Sequence, residues 1–524
     1  MSAETLIQEN WQPKYSPWVT AWPVLMAVFM FALNETISNV ALANIAGALS
    51  ISMNESTWII TSYLMASGIA IALVGFMTKL LGRKNLLICA VLLFTISSML
   101  CAMSVSMGMM VLSRFFQGIG GGALLPLGQA IILETFPPNE RQKAMAVFGL
   151  VFIIAPIIGP IMGGWITENW CWQWIFIIDI PLGIICSLWN HKILEDPPYA
   201  RKQKNVIIDY WGIIFLSMWL ISMQVVLDKG NDADWFGSTW ICWLTTFSVI
   251  CAIIFFYTQF SKKNKEPLLN LKILFDGTYF WGTFIQVILM AVFLASATLL
   301  PSMLQRLMGY TSYLSGLSLG TRGLGNIIAL ITYFIISKYI GDRRIAAIGL
   351  FFLGLGSWYF GMINLEINLN SIVFPNICYG IGIFFALTPL VPLSCCTLDN
   401  SELTNASSLQ NLLKNTGGAI GTSISTTMIS RFAQVHQNMM SGHLNYTNDA
   451  FMAKVNAGVA QFSTSVDPMT AAQIAQGKIY GELVQQSHLW GYIDTFRWFA
   501  FATFLLIPLL LLIKKPKTNQ QNEH

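Results

Sequence analysis

The chain has 524 residues, of which 55% are hydrophobic and only 10% charged, with a mean hydropathy of +0.60. A soluble chain of that length would form about three domains and carry roughly a quarter charged residues, so soluble, disordered, collagenous and coiled-coil classes are excluded and a lipid bilayer is the expected solvent. The balance of 29 basic against 25 acidic residues, +4, is too small and too scattered for a nucleic-acid footprint.

Residues 1–17 are polar, hold one basic residue, Lys14, and lack a small-residue cleavage site. The apolar stretch behind them therefore reads as a retained helix and not as a signal peptide. Stretches close to or above the length that crosses a bilayer recur at roughly 18–42, 57–78, 85–105, 109–133, 143–166, 174–191 and 206–228. They continue at roughly 239–260, 278–303, 313–336, 344–364, 371–396, 405–430 and 492–513. The expected fold class is an all-α polytopic membrane protein with fourteen transmembrane helices.

Orientation follows from Lys and Arg in the short loops. One set of loops holds Lys79, Arg83, Lys84, Arg141, Lys143, Lys192, Arg201, Lys202 and Lys204. The set continues with Lys262, Lys263, Lys265, Lys272, Lys338, Arg343 and Arg344, and the tail adds Lys514, Lys515 and Lys517. The opposite short loops hold Lys229 and Arg306. Both termini are thus expected in the cytoplasm. The longest polar interruption, roughly 431–491, has apolar residues at helical spacing around Phe451–Gly458 and Ile474–Val484 and is expected to be a small extracytoplasmic helical subdomain. Its His436 and His443 read as surface histidines, without the partners a zinc site needs.

Nine cysteines (Cys89, Cys101, Cys171, Cys186, Cys242, Cys251, Cys378, Cys395 and Cys396) lie mostly in apolar stretches with no metal spacing or disulfide framework. Neither a metal nor redox chemistry nor a cofactor is expected. A faint internal repeat pairs the basic turn Lys79–Lys84 after the second span with Lys338–Arg344 after the tenth, the trace of duplicated halves around a central pathway.

Several motifs fall in one order. Span 1 carries Leu33-Asn34-Glu35-Thr36-Ile37-Ser38-Asn39-Val40-Ala41-Leu42, and span 2 opens Trp58-Ile59-Ile60-Thr61-Ser62-Tyr63. Gly75 to Lys84, including Gly82 and Arg83, forms the next loop. Span 4 holds Arg114-Phe115-Phe116-Gln117-Gly118-Ile119-Gly120-Gly121-Gly122, and span 5 holds Gly159-Pro160-Ile161-Met162-Gly163-Gly164. Trp172 to Gly183 follows, with Asp179 and Pro181 inside it. These resemble LDxTIVNVAL, WxxTSY, GxLaDrxGrk, RxxQGxGga, GPxxGG and WRWxFxINxPxG of the major facilitator superfamily. The resemblance is to its fourteen-span drug:proton antiporter branch (EmrB/QacA-like) and runs through about the whole chain.

The resemblance implies two six-helix halves plus two extra central spans. The expected organisation is 1–17 cytoplasmic; 18–191 first bundle; 192–277 two linking spans with cytoplasmic loops; 278–513 second bundle, including the extracytoplasmic 431–491; and 514–524 cytoplasmic tail. Gly75, Gly82, Arg83, Lys84, Gly159, Pro160, Gly163 and Gly164 are then the gating and antiporter-motif residues. Lys79 stands where the pattern has Asp, which removes an acid expected to bridge the bundle. The span-5 Pro and Gly residues suit a kinked, closely packed interface with or without a gating role. Gly118 to Ala123 formally fits a dinucleotide fingerprint, but no strand precedes it, and close helix packing explains it better.

Ionisable groups inside spans are candidates for function: Glu35, Glu134, Asp179, Asp209, Asp228, Arg322 and Lys414. Glu35 leads. The pattern's span-1 acid falls at Asn34 here, and a carboxyl one residue later points about 100° away. Among apolar side chains it can exchange a proton near neutral pH. A structural glutamate hydrogen-bonded between helices is the competing reading. Arg114 near the start of span 4 either snorkels or pairs with a proton-carrying acid. Asp179 stands where the pattern has Asn, as an added proton or cation site or an interfacial helix-entry residue. Asp228, Asp209 and Glu134 read as interfacial, Asp228 as a solvated cap. Arg322 reads as a counter-charge for an acid of the first half, and Lys414 takes the Arg position of RxxGGxxG. Glu35, Arg114 and Asp179 are the proton-coupling candidates; Asn34, Asn39, Gln117, Arg322 and Lys414 are the pathway candidates.

The expected function is proton-coupled export of small hydrophobic or amphipathic compounds, multidrug type, by alternating access in the inner membrane. The alternative is a proton-coupled transporter or uptake facilitator of a specific metabolite. No GxxxxGK(S/T) or HExxH occurs, which argues against an ATP-driven pump and a zinc-dependent hydrolase. Expected partners are cargo, protons and membrane lipids. By analogy, a periplasmic adaptor and outer-membrane channel would meet 431–491.

Overall fold

The computed structural model describes residues 14–137, 140–196, 209–261, 267–337, 339–398, 403–442, 444–445, 448–463 and 467–513. The expectations for 1–13 and 514–524, for Arg201, Lys202, Lys204, Lys262, Lys263, Lys265, Lys338, Lys514, Lys515 and Lys517, and for His443 lie outside the described residues.

The first six helices are α1 (Pro17–Ala48), α2 (Met53–Leu81), α3 (Arg83–Ala102), α4 (Met107–Thr135), α5 (Arg141–Asn169) and α6. The last is broken: it runs Trp174–Ile177 and, past Ile178, Asp179–Ile193. Next come α7 (Tyr210–Lys229), α8 (Thr239–Phe260), α9 (Gly277–Arg306), α10 (Ser312–Ile336), α11 (Asp342–Phe360), α12 (Leu369–Cys395) and α13 (Leu403–Ser441). Short α14 (Asp449–Phe462) and long α15 (Pro468–Leu509) close the chain. Among the described residues, eleven of these are long and apolar enough to cross a membrane. α5, α11 and α13 are also of span length and pack among the eleven. The fold is all-α and polytopic, and these helices follow the order of the fourteen expected spans.

Local chemistry starts and stops the helices where the sequence supplies it. Pro17 sits in the first turn of α1, where its missing N–H costs nothing. Ser52 and Glu55 form a capping box on α2: Ser52 Oγ accepts from Glu55 N at 3.2 Å and Glu55 Oε2 from Ser52 N at 2.9 Å. Gly82 turns α2 into α3 at φ +81°, a conformation that favours glycine. Asp196 Oδ1 then accepts from Lys84 N at 2.8 Å, capping the first turn of α3 from beyond α6.

Glycine-bearing faces set the closest approaches. A Cβ on Gly120 of α4 would stand 2.6 Å from Phe94 N of α3, and one on Gly122 2.7 Å from Ser67 Cα of α2. The small-residue reading of span 4 is therefore the packing one. In α12, Gly382 meets Leu353 of α11 and Gly380 meets Asn326 of α10 in the same manner. The two largest apolar cores follow, one around Phe31, Phe94 and Leu127, the other around Leu289, Leu353 and Phe496.

The first six and last six helices touch along two seams: α5 packs on α10, and α2 on α13. At the first, Tyr313 N donates to Glu168 Oε1 at 2.9 Å. The pair α7 and α8 lies beside the second. There the end of α7 and the segment after it reach both sides. Lys229 Nζ donates to Thr57 Oγ1 of α2 at 2.8 Å, Asn231 Nδ2 donates to Ser430 Oγ of α13 at 3.2 Å, and Asp234 pairs with Arg431 at 2.5 Å. Ser423 Oγ also donates to the Leu227 carbonyl.

Helix ends differ from the hydropathy boundaries. Span 13 continues to Ser441, and span 14 begins at Pro468. Most of 431–491 is helical, including the stretches Phe451–Gly458 and Ile474–Val484: it consists of extensions of two spans with α14 packed on α15. Apolarity marks the membrane-crossing part of a helix; it does not report where a polar helix continues beyond it.

Candidate functional site

Deep in the first six helices, four of them contribute polar side chains to one ring. Asn34 comes from α1, Ser98 from α3, Arg114 and Gln117 from α4, and Asp179 from the second segment of α6. All are buried, Arg114 and Asp179 to 1% exposure each. Asn34 bridges the two charges: its Oδ1 accepts from Arg114 Nη1 at 2.5 Å, and its Nδ2 donates to Asp179 Oδ2 at 2.6 Å. Gln117 Oε1 accepts from the same guanidinium nitrogen at 2.7 Å, and Gln117 Nε2 donates to Ser98 Oγ at 2.6 Å. Ser98 closes the ring on Asp179 Oδ2 at 3.3 Å, or turns its single proton to the Phe94 carbonyl at 3.0 Å.

Arg114 is further held by its Nε donating to the Ile59 carbonyl at 3.2 Å and by the Tyr63 ring, 4.3 Å from its guanidinium carbon. A charge this deep is costly unless paired and hydrogen-bonded. Here Nε and Nη1 have acceptors and the face has an aromatic ring. Of the two readings of Arg114, snorkelling gives way to pairing within the ring. Asp179 is not an interfacial entry residue. The break at Ile178 starts a new helical segment at Asp179 and buries its side chain among α1 and α3.

Glu35 and Asn39 lie one turn apart on α1, a helical spacing that shares one face, and are half-buried. Glu35 makes no hydrogen bond or ion pair among the described residues, and Asn39 Oδ1 is buried without a partner. On the other stripe of α1, Asn34 and Ser38 are buried. The residue that the sequence pattern offered as an acid at position 34 is consumed as an amide in the ring, and the acid beside it stands open.

In the last six helices Arg322 of α10 has its own setting. Its Nε donates to Asn376 Oδ1 of α12 at 2.7 Å, its Nη1 to Ser296 Oγ of α9 at 3.0 Å, and the Tyr379 ring lies 4.6 Å from its guanidinium carbon. The partners are neutral and come from its own six helices, so the counter-charge reading for an acid of the first half does not fit. Both halves place an arginine over a tyrosine, with the helices exchanged: arginine on α4 over tyrosine on α2, arginine on α10 over tyrosine on α12. Lys414 is half-buried and makes no hydrogen bond or ion pair among the described residues.

The antiporter-motif residues divide between two neighbours. Gly159 and Gly163 lie against Thr36 and Ile37 of α1, and the Pro160 backbone lies against Gly316 of α10 across the first seam. Gly164 is buried; a Cβ on Gly75 would meet nothing within 4 Å. Asp228 is not a solvated cap: its Oδ2 is buried without a hydrogen-bond partner. Asp209 caps α7, accepting from Gly212 N at 2.9 Å, and the Glu134 side chain lies outside the described residues. His436 is no free surface histidine, since its Nε2 meets Asp494 Oδ2 at 2.7 Å. Ser98, Tyr63, Ser296, Asn376 and Tyr379 were not singled out from sequence. Tyr63 ended a quoted motif, but nothing in the sequence shows that its ring faces Arg114.

A family model described as "Major Facilitator Superfamily" matches residues 24–422. The multidrug export protein EmrB of Haemophilus influenzae is 30% identical over 511 residues, covering 95% of both chains. The probable multidrug resistance protein EmrY of Escherichia coli is 30% identical over 506 residues, 96% of both. The fatty acid resistance protein FarB of Neisseria gonorrhoeae is 29% identical over 508 residues, 95% of this chain and 96% of the other. Among solved structures, a bacterial homolog of the human lysosomal transporter Spinster, inward-facing and occupied, aligns at a TM-score of 0.56. It shares 14% identity and covers 96% of this chain and 99% of its own, a likeness of fold. The chain belongs to the major facilitator superfamily, in the branch that holds EmrB and EmrY.

Proposed function

We propose that the chain is a proton-driven exporter of hydrophobic or amphipathic compounds, working by alternating access between its first and last six helices. The printed names of its relatives, multidrug export for EmrB and fatty acid resistance for FarB, support this cargo class. The observation that carries the reading is the open face of α1: Glu35, unbonded, one turn from the unpartnered Asn39, beside a ring whose charges are already paired. An ionised carboxyl at such a site is available to a proton or to a cargo group in turn, the exchange an antiporter needs.

In this scheme Glu35, Asp179 and Arg114 couple the proton, Asn34 and Gln117 hold them in register, and Asn39, Arg322 and Lys414 border the pathway. Gly159, Pro160, Gly163 and Gly164 shape the seam that opens and closes; Gly75, Gly82, Arg83 and Lys84 form the turn on the cytoplasmic side. The distribution of Lys and Arg supports an inner-membrane protein with both termini cytoplasmic. The extended ends of α13 and α15 with α14 would offer the surface for a periplasmic adaptor leading to an outer-membrane channel.

The test is resistance profiling of a susceptible host, followed by transport in proteoliposomes with and without an imposed ΔpH. Wild type is expected to protect against amphipathic compounds and to lose transport when ΔpH collapses; Glu35→Gln is expected to lose most of the ΔpH-driven component. Uptake of a polar metabolite with the proton gradient would favour the facilitator instead.

A further inference from the structure

Two departures from the motif pattern meet in the ring. Position 34 has an amide where the pattern has an acid, and position 179 has an acid where it has an amide. The two side chains are hydrogen-bonded to each other at 2.6 Å.

Such a pair keeps its geometry when the acid and amide trade places. As found, Asn34 Oδ1 accepts from Arg114 and Asn34 Nδ2 donates to Asp179 Oδ2. With an acid at 34 and an amide at 179, one carboxylate oxygen still accepts from Arg114 and the other accepts from the residue-179 amide. Ser98 then accepts from that amide and turns its proton to the Phe94 carbonyl, 3.0 Å away. Neither single change keeps this. An acid at both positions sets two carboxylate oxygens at the 2.6 Å separation with no proton between them. An amide at both leaves Arg114 with no carboxylate in its ring.

We infer that the acid and amide of this pair have exchanged helices, so that Asp179 on α6 is, beside Glu35, a second carboxyl that takes up and releases the coupled proton. Asn34 on α1 is then a positioning residue that passes its state to Arg114. This rests on the proton-driven reading above and adds a second acid to it. The proton adds to a carboxylate oxygen of Asp179 and leaves from it towards the opposite side of the membrane. Arg114 supplies one positive charge and Asp179 with Glu35 two carboxyls, so one bound proton neutralises the group. With Asp179 protonated, Asn34 no longer faces a charge, and Glu35 becomes the remaining counter-ion of Arg114. That change reaches the open face of α1.

The experiment compares the full-length wild type with Asn34→Asp, Asp179→Asn and the double variant in proteoliposomes under an imposed ΔpH. The probes are Hoechst 33342 and a nitrobenzoxadiazole-labelled dodecanoate. Each single variant is expected to lose ΔpH-driven transport by about tenfold or more, and the double variant to return to within about threefold of wild type. Asp179→Asn is also expected to lose the pH dependence of transport. Thermal midpoints of the four proteins in detergent, read without cargo, are expected to show the same recovery in the double variant. Proton-coupled transport by Asp179→Asn at the wild-type level, or losses that simply add in the double variant, would overturn the exchange. If wild type moves neither probe under any ΔpH, the export reading fails and the thermal comparison alone decides the exchange.

Discussion

Gly316→Ala puts a methyl group into the first seam. In α10 an added Cβ would stand 2.6 Å from the Pro160 carbonyl carbon and 3.1 Å from Ile161 N of α5. Those are backbone atoms, so no side chain can swing aside, and one helix must move by close to an ångström. Overpacking of this kind costs about 1–3 kcal/mol. The cost falls on the arrangement in which α5 and α10 touch, so the equilibrium should shift towards a parted seam by roughly 5- to 150-fold. Gly108→Ala on α4 is the control: its Cβ would meet nothing within 4 Å, while the helix-propensity gain of about 1 kcal/mol is common to both. Spin labels at exposed Asn169, the last residue of α5, and Met362, after α11, would report the distance between the two sets of helices in a cysteine-free background. A longer-distance population in Gly316→Ala but not Gly108→Ala is expected. An unchanged distribution would refute the reasoning that this backbone contact limits opening.

Tyr63→Leu should weaken the hold on Arg114 by about 0.5–2 kcal/mol through loss of the ring face, and Tyr63→Phe should not, because Tyr63 Oη has no partner; thermal midpoints of the two variants decide it. Asn231→Ala with Asp234→Ala removes two ties from the segment after α7 to α13, and hydrogen exchange is expected to rise at the outer turns of α7 and α13, not at α12. Asp467 caps α15, its Oδ1 accepting from Thr470 Oγ1 at 2.7 Å and its Oδ2 from Thr470 N at 3.1 Å, and these bonds hold its carboxyl below the usual carboxylate range. A lowered folded-state value means the cap contributes above the unfolded value and is lost as pH falls through the folded one. Exchange at the Thr470 amide should therefore accelerate in acid, and Asp467→Asn should abolish that pH dependence.

The spans were legible because hydropathy integrates over many residues and a single error does not erase the signal. Their polar ends were not: α13 and α15 continue as helices through residues whose composition suits water. The members of the ring were legible one by one, as ionisable or amide residues in apolar helices. Their relation was not, since Asn34 and Asp179 are 145 residues apart and only helix rotation decides that they face each other. Arg114 illustrates the limit. Seven residues into α4 it lies about 10 Å from the helix start by the rise per residue, close enough to an end to suggest snorkelling. The glycine-tight packing of α4 on α2 and α3 instead turns it inward. Ser98 gave no sign at all, because a serine in an apolar helix is most often bonded to its own backbone, as Ser98 also is.

α15 is 42 residues long without interruption, about 63 Å by the rise per residue and roughly twice the thickness of a hydrocarbon core. Half of it therefore stands clear of the lipid as a boom rooted in the last six helices, braced by α14. A tilt of about 10° at the root would carry the far end sideways by about 5 Å over a 30 Å arm. Any molecule resting on that tip would feel each turnover as a mechanical stroke.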